Sequence, residues 1–350
     1  MVLHSTIFIN GRLYLSLTSH QDITSYFSMY WSKSQFQPQG KVSLIIGASQ
    51  GVGADLALRL YEKGGIVILV ARTESKLKEQ VNRIVKIAGE QTNSKGEKNI
   101  EYYVCDVANY DSCHQMWSHL IHSRNMDPDF IFCCAGTSVP KLFADLTGKE
   151  LANGVNINYM TALNTVHAGF KSVVEKHKDL KPQEFKKRHI ILFSSVLASY
   201  SFTGYAQYAP MKAALVSLSN LLRQEMGAFN YRVTCVYPGN FESEGYFEEE
   251  KTKPAITKKI EGASKPISSL HCCDIILDQL SKGYDSIYTD FIGWVLGCSS
   301  LNVNPRNWGL FQVIVAFIFL IIAPVAESIV SLDVKKFFQE KKEPSDEQSN

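Results

Sequence analysis

Residues 42–53, VSLIIGASQGVG, constrain this chain more than any other stretch. An apolar run passes directly into three glycines at the spacing G-x3-G-x-G, and an amphipathic segment, ADLALRLYEKGG, follows. A continuous apolar strand is what a parallel sheet covered on both faces requires. Glycines at its end let the backbone turn sharply and approach a ligand that a Cβ would hold away. The helix start beyond them offers free amides and the positive end of a dipole to a phosphate. In that setting the trio predicts nucleotide binding through Gly47, Ser49, Gln50, Gly51, Val52 and Gly53, where the glycines alone would be a weak signal.

The same rhythm continues. IVILVAR (66–72) reads as a second strand, residues 74–88 as a charged helix, residues 89–99 as a polar loop and IEYYVCDV (100–107) as a third strand. DFIFCCAG (129–136), a helix over 148–175, HIILFSSV (189–196), a helix over about 207–227 and RVTCVYPG (232–239) complete it. Alternation of this kind predicts the α/β class, a single domain built on a Rossmann-type doubly wound parallel sheet with its ligands at the carboxyl ends of the strands. The expected organisation is a leader over 1–39, the nucleotide-binding domain over 40–290, a hydrophobic membrane-associated segment over 291–327 and a polar tail over 328–350.

Composition excludes some functions. Lys+Arg 36 against Asp+Glu 34 gives a net charge of +2, without the basic field that nucleic-acid binding needs. A hydrophobic share of 45% with 20% charge argues against a disordered chain. None of the eight cysteines falls in the paired CxxC spacing of a zinc site, and two adjacent pairs, Cys133-Cys134 and Cys272-Cys273, suit no disulfide framework. With a polar N-terminus that reads as no secretory signal, the expectation is reduced thiols, no metal and a cytosolic catalytic part.

The average conceals NWGLFQVIVAFIFLIIAPVA, 20 residues without a charge between Arg306 and Glu327, long enough to cross about 30 Å of hydrocarbon. Lys335, Lys336, Lys341 and Lys342 follow it and favour a cytosolic tail, which for one span would put the catalytic part in the lumen. A re-entrant or interfacial segment including FIGWVLGC (291–298) would leave both ends in the cytosol. The basic stretch 176–189 reads as a solvated face or a contact with anionic lipid.

The end of the second strand carries Ala71-Arg72 and no acid. An acidic residue there accepts from a ribose 2′-hydroxyl, whereas a 2′-phosphate needs a cation, so Arg72, helped by Ser49, predicts NADPH. Further along, Tyr208 and Lys212 in YAPMK lie one helical turn apart on one face, thirteen residues after Ser195 at a strand's carboxyl end. A phenol is a poor acid at neutral pH, and a nearby ammonium is expected to lower its pKa toward the working range.

With these residues the chain resembles the short-chain dehydrogenases/reductases, through Gly47-Ala48-Ser49-Gln50-Gly51-Val52-Gly53, Ser195 and Tyr208-x-x-x-Lys212, over about residues 40–245. The resemblance implies adenine contact at Asp106-Val107 and a nicotinamide-side turn at Pro238-Gly239. Ala135-Gly136 matches the second half of the family's Asn-Asn-Ala-Gly turn, with Cys133 and Cys134 in place of the asparagines. Asn158 matches the residue that completes its proton relay. It also implies a homo-oligomer paired through the helices after the fourth and fifth strands.

More narrowly, YPGNFESEGYFEEEKTKPAIT and the glycine turn resemble the fungal 3-ketodihydrosphingosine reductases. That implies NADPH-dependent reduction of a long-chain sphingoid ketone to sphinganine at the endoplasmic-reticulum membrane, in contact with its lipid and with the catalytic domain facing the cytosol. A 3-ketoacyl-CoA or steroid ketone reductase, and a catalytically silent NADP(H)-binding membrane scaffold, are the alternatives. Residues 240–268, with Phe241, Tyr246 and Phe247 beside Glu242, Glu244, Glu248, Glu249 and Glu250, suit either an acidic, aromatic lid for an amine-bearing ketone or a solvated loop.

Overall fold

A computed structural model describes residues 3–9, 12–17, 36–93, 96–262, 265–300 and 304–340. Strands β1 (Leu3–Ile9) and β2 (Arg12–Leu17) form an antiparallel hairpin. The rest of the expected leader up to residue 35, and residues 341–350 of the tail, lie outside the described residues. Phe36, inside the expected leader, is buried with its ring 4.7 Å from Phe130, so the packed core begins there.

Alternating strands and helices then follow: β3 (Val42–Ile46), α1 (Gly51–Glu62), β4 (Ile66–Ala71), α2 (Glu74–Ala88), β5 (Ile100–Val104), α3 (Tyr110–Ser118) and β6 (Phe130–Cys133). The run continues through α4 (Gly148–Val155), α5 (Thr161–Lys176), β7 (Arg188–Phe193), α6 (Ala209–Glu225) and β8 (Tyr231–Tyr237). A two-strand parallel pair, β9 (Phe241–Glu242) and β10 (Ile267–Ser268), brackets helices α7 (Glu244–Thr252) and α8 (Ala255–Glu261). The last elements are α9 (Ser269–Ser281), β11 (Ser286–Tyr288), α10 (Phe291–Ser299) and α11 (Leu310–Glu340).

Seven strands make one all-parallel sheet in the order β11-β8-β7-β6-β3-β4-β5. Chain order reverses beside β3, where the crevice of a doubly wound sheet opens. One face is covered by α1, α2 and α9, burying Leu56, Leu77 and Ile276; the other by α3, α5 and α6, burying Trp117, Val166 and Leu215. The apolar runs of β3, β4 and β6 are continuous because both faces of these inner strands are covered, whereas edge strand β5 is half-buried and carries Glu101.

Two features depart from the sequence-based expectation. The sheet does not end at β8: Ser286, Ile287 and Tyr288 pair with Cys235, Val236 and Tyr237 as a seventh strand, too short to carry a period of its own. The helix expected over 148–175 is broken by a π-turn at Asn156–Met160, a widening of the kind that often marks functional positions.

The eight cysteines are unpaired thiols and all but Cys134 are buried. Burial pushes Cys105 up to about 11 and Cys113 to about 12, so these are inert core groups rather than nucleophiles.

Candidate active site

The glycine turn is held by close backbone contact. Gly47 adopts φ +85°, and a Cβ there would stand 2.8 Å from the Ala135 backbone; one on Gly53 would stand 2.4 Å from the Gly47 carbonyl oxygen. The turn therefore packs against the loop after β6 on one side and lets α1 start directly over it on the other. Val52 is buried beneath, and Ser49 and Gln50 are half-buried at the rim. After β5, Asn164 donates through Nδ2 to the carbonyls of Val107 (3.0 Å) and Ala108 (2.9 Å), which fixes the turn that exposes Asp106.

At the carboxyl end of β4, Arg72 is exposed and its side chain has no partner among the described residues. The nearest acid in sequence, Glu74, is held by Lys78 at 2.9 Å and by the Tyr102 hydroxyl at 3.1 Å. This end thus offers a cation and no free carboxylate, a donor set that fits a 2′-phosphate rather than a 2′-hydroxyl. The sequence reading missed a second cation: Lys76, in the first turn of α2, donates to Gln50 Oε1 at 2.8 Å. In a run such as ESKLKE it carries no signal beyond a solvated helix face.

The turn Ala135-Gly136-Thr137 lies between the glycine loop and the deeper site. Asn158, carried inward by the π-turn and fully buried, accepts from Thr137 N–H and donates to Thr137 C=O, both at 2.9 Å. This paired amide clamp holds the turn where Cys133 and Cys134 supply no asparagine side chains. Each end of the side chain bonds Thr137, a positioning role beside the one expected for Asn158. A Cβ on Gly136 would stand 2.9 Å from Lys212 Nζ and 3.0 Å from Asn158 Oδ1, so the two polar groups converge on this glycine.

Ser195, Tyr208 and Lys212 come together at the carboxyl end of β7. Ser194 Oγ donates to the Lys212 carbonyl at 2.7 Å, tying α6 to the strand end, and Val196 N–H donates to Pro238 C=O at 3.2 Å. Beside Pro238, Gly239 N–H donates to Thr289 Oγ1 at 2.9 Å, which anchors the turn to the residue that follows β11. Lys212 is buried, donates to the Phe193 carbonyl at 2.8 Å and lies 5.3 Å from the centroid of the Tyr208 ring.

The charges differ from expectation. Burial pushes the Lys212 ammonium down to about 8. Loss of water pushes the Tyr208 phenol above its usual range, Glu249 adds to this, and a hydrogen bond with Ser195 opposes it. In this arrangement burial outweighs any lowering by Lys212, whose ammonium donates to the Phe193 carbonyl. The phenol rests protonated, the form required to give up a proton.

Over this group sits a lid, α7 and α8. Tyr205, buried and with its ring 6.4 Å from that of Tyr208, donates to Glu249 Oε1 at 2.7 Å. Lys253 is buried among Glu249, Glu250 and Glu261, and Lys251 pairs with Glu248 at 2.5 Å. Most of the acids expected to greet a substrate amine, Glu248, Glu249 and Glu250, are therefore ion-paired within the lid itself. A cleft of about 450 Å³ lined by Lys141, Leu142, Asp145, Thr252, Pro254, Ala255 and Phe337 opens between the lid, the loop after β6 and α11.

Helix α11 is long and apolar enough to cross a membrane, and the apolar window within it is wholly unburied. It runs thirteen residues past the expected boundary at 327, to Glu340. Both ends touch the catalytic domain or the helix preceding it. Phe311 stacks on Trp294 at 5.9 Å, the Tyr200 hydroxyl donates to Glu327 at 2.9 Å, and Lys259 of α8 pairs with Asp333 at 2.6 Å.

The basic stretch lies at the opposite, amino end of the strands. Lys176 donates to the Ile121 carbonyl at 2.7 Å, Lys186 pairs with Asp129 at 2.9 Å, and Arg188 is buried against Asp127. Three of its cations thus serve the domain itself.

The chain belongs to the short-chain dehydrogenases: residues 41–253 match the sequence pattern described as short chain dehydrogenase. It is 58% identical over 311 residues to the 3-ketodihydrosphingosine reductase of Debaryomyces hansenii, covering 89% of this chain and 93% of that protein. It is also 40% identical to the reductase of that name from Saccharomyces cerevisiae, covering 78% and 86% respectively. Among solved structures, a short-chain dehydrogenase from Burkholderia cenocepacia in complex with NADP superposes with a TM-score of 0.57 at 20% identity, over 75% of this chain and 93% of that one. This last likeness bears on the fold.

Proposed function

We propose that the protein reduces 3-ketodihydrosphingosine to sphinganine with NADPH, acting through Ser195, Tyr208 and Lys212. The observation that carries this reading is a half-buried Tyr208 beside Ser195, with Lys212 buried under Gly136 and 5.3 Å from the centroid of the tyrosine ring. The reductases it resembles over most of its length, and the NADP named with the Burkholderia structure, support substrate and cofactor respectively.

NADPH would lie along the glycine turn, its 2′-phosphate toward Arg72 and its adenine toward Asp106 and Val107; when bound it supplies a hydride to the C3 carbonyl carbon. The rest is done by the chain. Ser195 donates a hydrogen bond to the carbonyl oxygen and fixes its direction. As the carbon gains the hydride and the C=O π bond becomes an alkoxide, Tyr208 transfers its phenolic proton to that oxygen, leaving a phenolate. The Lys212 ammonium stabilises this phenolate and would hydrogen-bond the nicotinamide ribose. Asn158 holds the Ala135-Gly136-Thr137 turn, which would face the cofactor, and Pro238-Gly239 would bound the nicotinamide.

We further place the substrate's apolar chain in the cleft beneath Phe337, and the protein at the endoplasmic-reticulum membrane. The contacts at both ends of α11 favour a helix lying along the bilayer with its ends on the cytosolic side, which reconciles the trailing lysines with a cytosolic domain. The test is a substrate panel: purified full-length protein, NADPH, and 3-ketodihydrosphingosine, a 3-ketoacyl-CoA or a steroid ketone. Sphinganine is the expected product; turnover of the thioester or steroid in preference overturns the substrate.

A further inference from the structure

Lys76 does more than touch Gln50. The same ammonium pairs with Glu244, the first residue of the lid helix α7, at 2.7 Å. Ser243, which caps α7 by accepting from Tyr246 N–H at 3.1 Å, has its Cβ 3.4 Å from where a Cβ on Gly51 would sit. The start of the lid therefore rests on the glycine turn, and Lys76 bridges them. The lid's other ion pairs are internal, apart from Lys259–Asp333 to α11; among the described residues, Lys76–Glu244 is the ion pair that joins the lid to the nucleotide half.

Lys76 also stands four residues after Arg72, one turn into α2 from the strand end at which Arg72 is unpartnered. Its pair with Glu244 is solvent-exposed, with side chains 41% and 64% accessible, so water and salt leave it weak and easily exchanged. A phosphate monoester carries more charge and more acceptor oxygens than a carboxylate, and a lysine's flexible stem lets the ammonium turn from one to the other.

We propose that Lys76 serves two anions in turn, Glu244 in the cofactor-free protein and the cofactor's 2′-phosphate in the complex, so that the lid and the phosphate compete for one ammonium. The inference rests on the NADPH reading. It makes Lys76 a specificity residue and gives the lid a sensor for the phosphate that NADH lacks. Coupling between binding events is reciprocal, so whatever Glu244 takes from Lys76 is lost to NADPH and not to NADH.

Dissociation constants of NADPH and NADH, measured by fluorescence on the full chain and on Lys76→Met, Glu244→Gln and the double variant, test it. Lys76→Met is expected to weaken NADPH about tenfold while NADH changes less than about twofold. Glu244→Gln is expected to tighten NADPH about two- to threefold, an effect that disappears in the double variant. The proposal is overturned if Lys76→Met acts on both cofactors alike or on neither, or if Glu244→Gln leaves NADPH unchanged or keeps its effect without Lys76. Arg72→Ala separates the two readings. If the unaltered protein binds both cofactors equally, the NADPH reading itself fails. If Arg72→Ala removes an NADPH preference that Lys76→Met leaves intact, only the competition fails.

Discussion

The two ends of the central sheet are built on opposite rules. At the amino ends of the strands polar groups are paired: Arg188 with Asp127, Lys186 with Asp129, Arg232 with Asp285 at 2.6 Å, and His189 with Thr234 at 2.7 Å. At the carboxyl ends Arg72 has no side-chain partner, Lys212 is buried on a carbonyl rather than a carboxylate, and Tyr208 is kept neutral. One end closes the domain, and the other holds unspent donors and cations beside a glycine-lined opening. Substitutions at the first are therefore expected to act on stability, and those at the second on turnover and cofactor affinity.

The largest separation should come from Tyr208→Phe. Losing the proton donor is expected to lower kcat about 10³-fold, equivalent to about 4 kcal/mol, with the unfolding midpoint unchanged; steady-state kinetics and a thermal melt check it together. At the other end, Arg188→Met leaves Asp127 without its buried partner. A loss of about 3 kcal/mol in urea unfolding is expected, with KM values unaltered.

His189 sharpens the comparison through pH. Burial holds its imidazole neutral down to about 3, while the unfolded chain takes up that proton near the ordinary value of 6.5. The unfolded state therefore binds more protons between those values, and stability falls as pH drops through that window, by about 2 kcal/mol between pH 7 and pH 5. His189→Gln should flatten this slope in denaturation series at several pH values. The smallest effect is at the cofactor rim, where Arg72→Ala is expected to raise the KM for NADPH about tenfold and leave NADH nearly unchanged, as initial rates with each cofactor will report.

Much of this arrangement was legible in order along the chain. Largely apolar runs mark six of the seven sheet strands, most cleanly β3, β4 and β6, which are covered on both faces. Ser195, Tyr208 and Lys212 were legible because strand end and helix face fix where they fall. β11 was not, since three residues cannot show a period. The π-turn under Asn158 was hidden because widening a helix by one residue leaves the sequence pattern almost intact. Lys76, Tyr205 and Lys253 were missed for another reason: a lysine in a charged run, or a tyrosine in a loop, reads as unremarkable until a partner distant in the chain is brought to it. That burial outweighs Lys212 at Tyr208 follows from how deeply the phenol packs, which spacing does not encode.

The account's central claim is that the carboxyl end of this sheet passes a hydride from NADPH to the C3 carbonyl of a sphingoid ketone. The most direct measurement uses NADPH carrying deuterium at C4 of the nicotinamide, on either face in turn, with 3-ketodihydrosphingosine and the full-length protein, the product being read by mass spectrometry. The account predicts sphinganine with one deuterium at C3 from one of the two labelled cofactors and unlabelled sphinganine from the other. Sphinganine without deuterium from both, or no sphinganine at all, would contradict it.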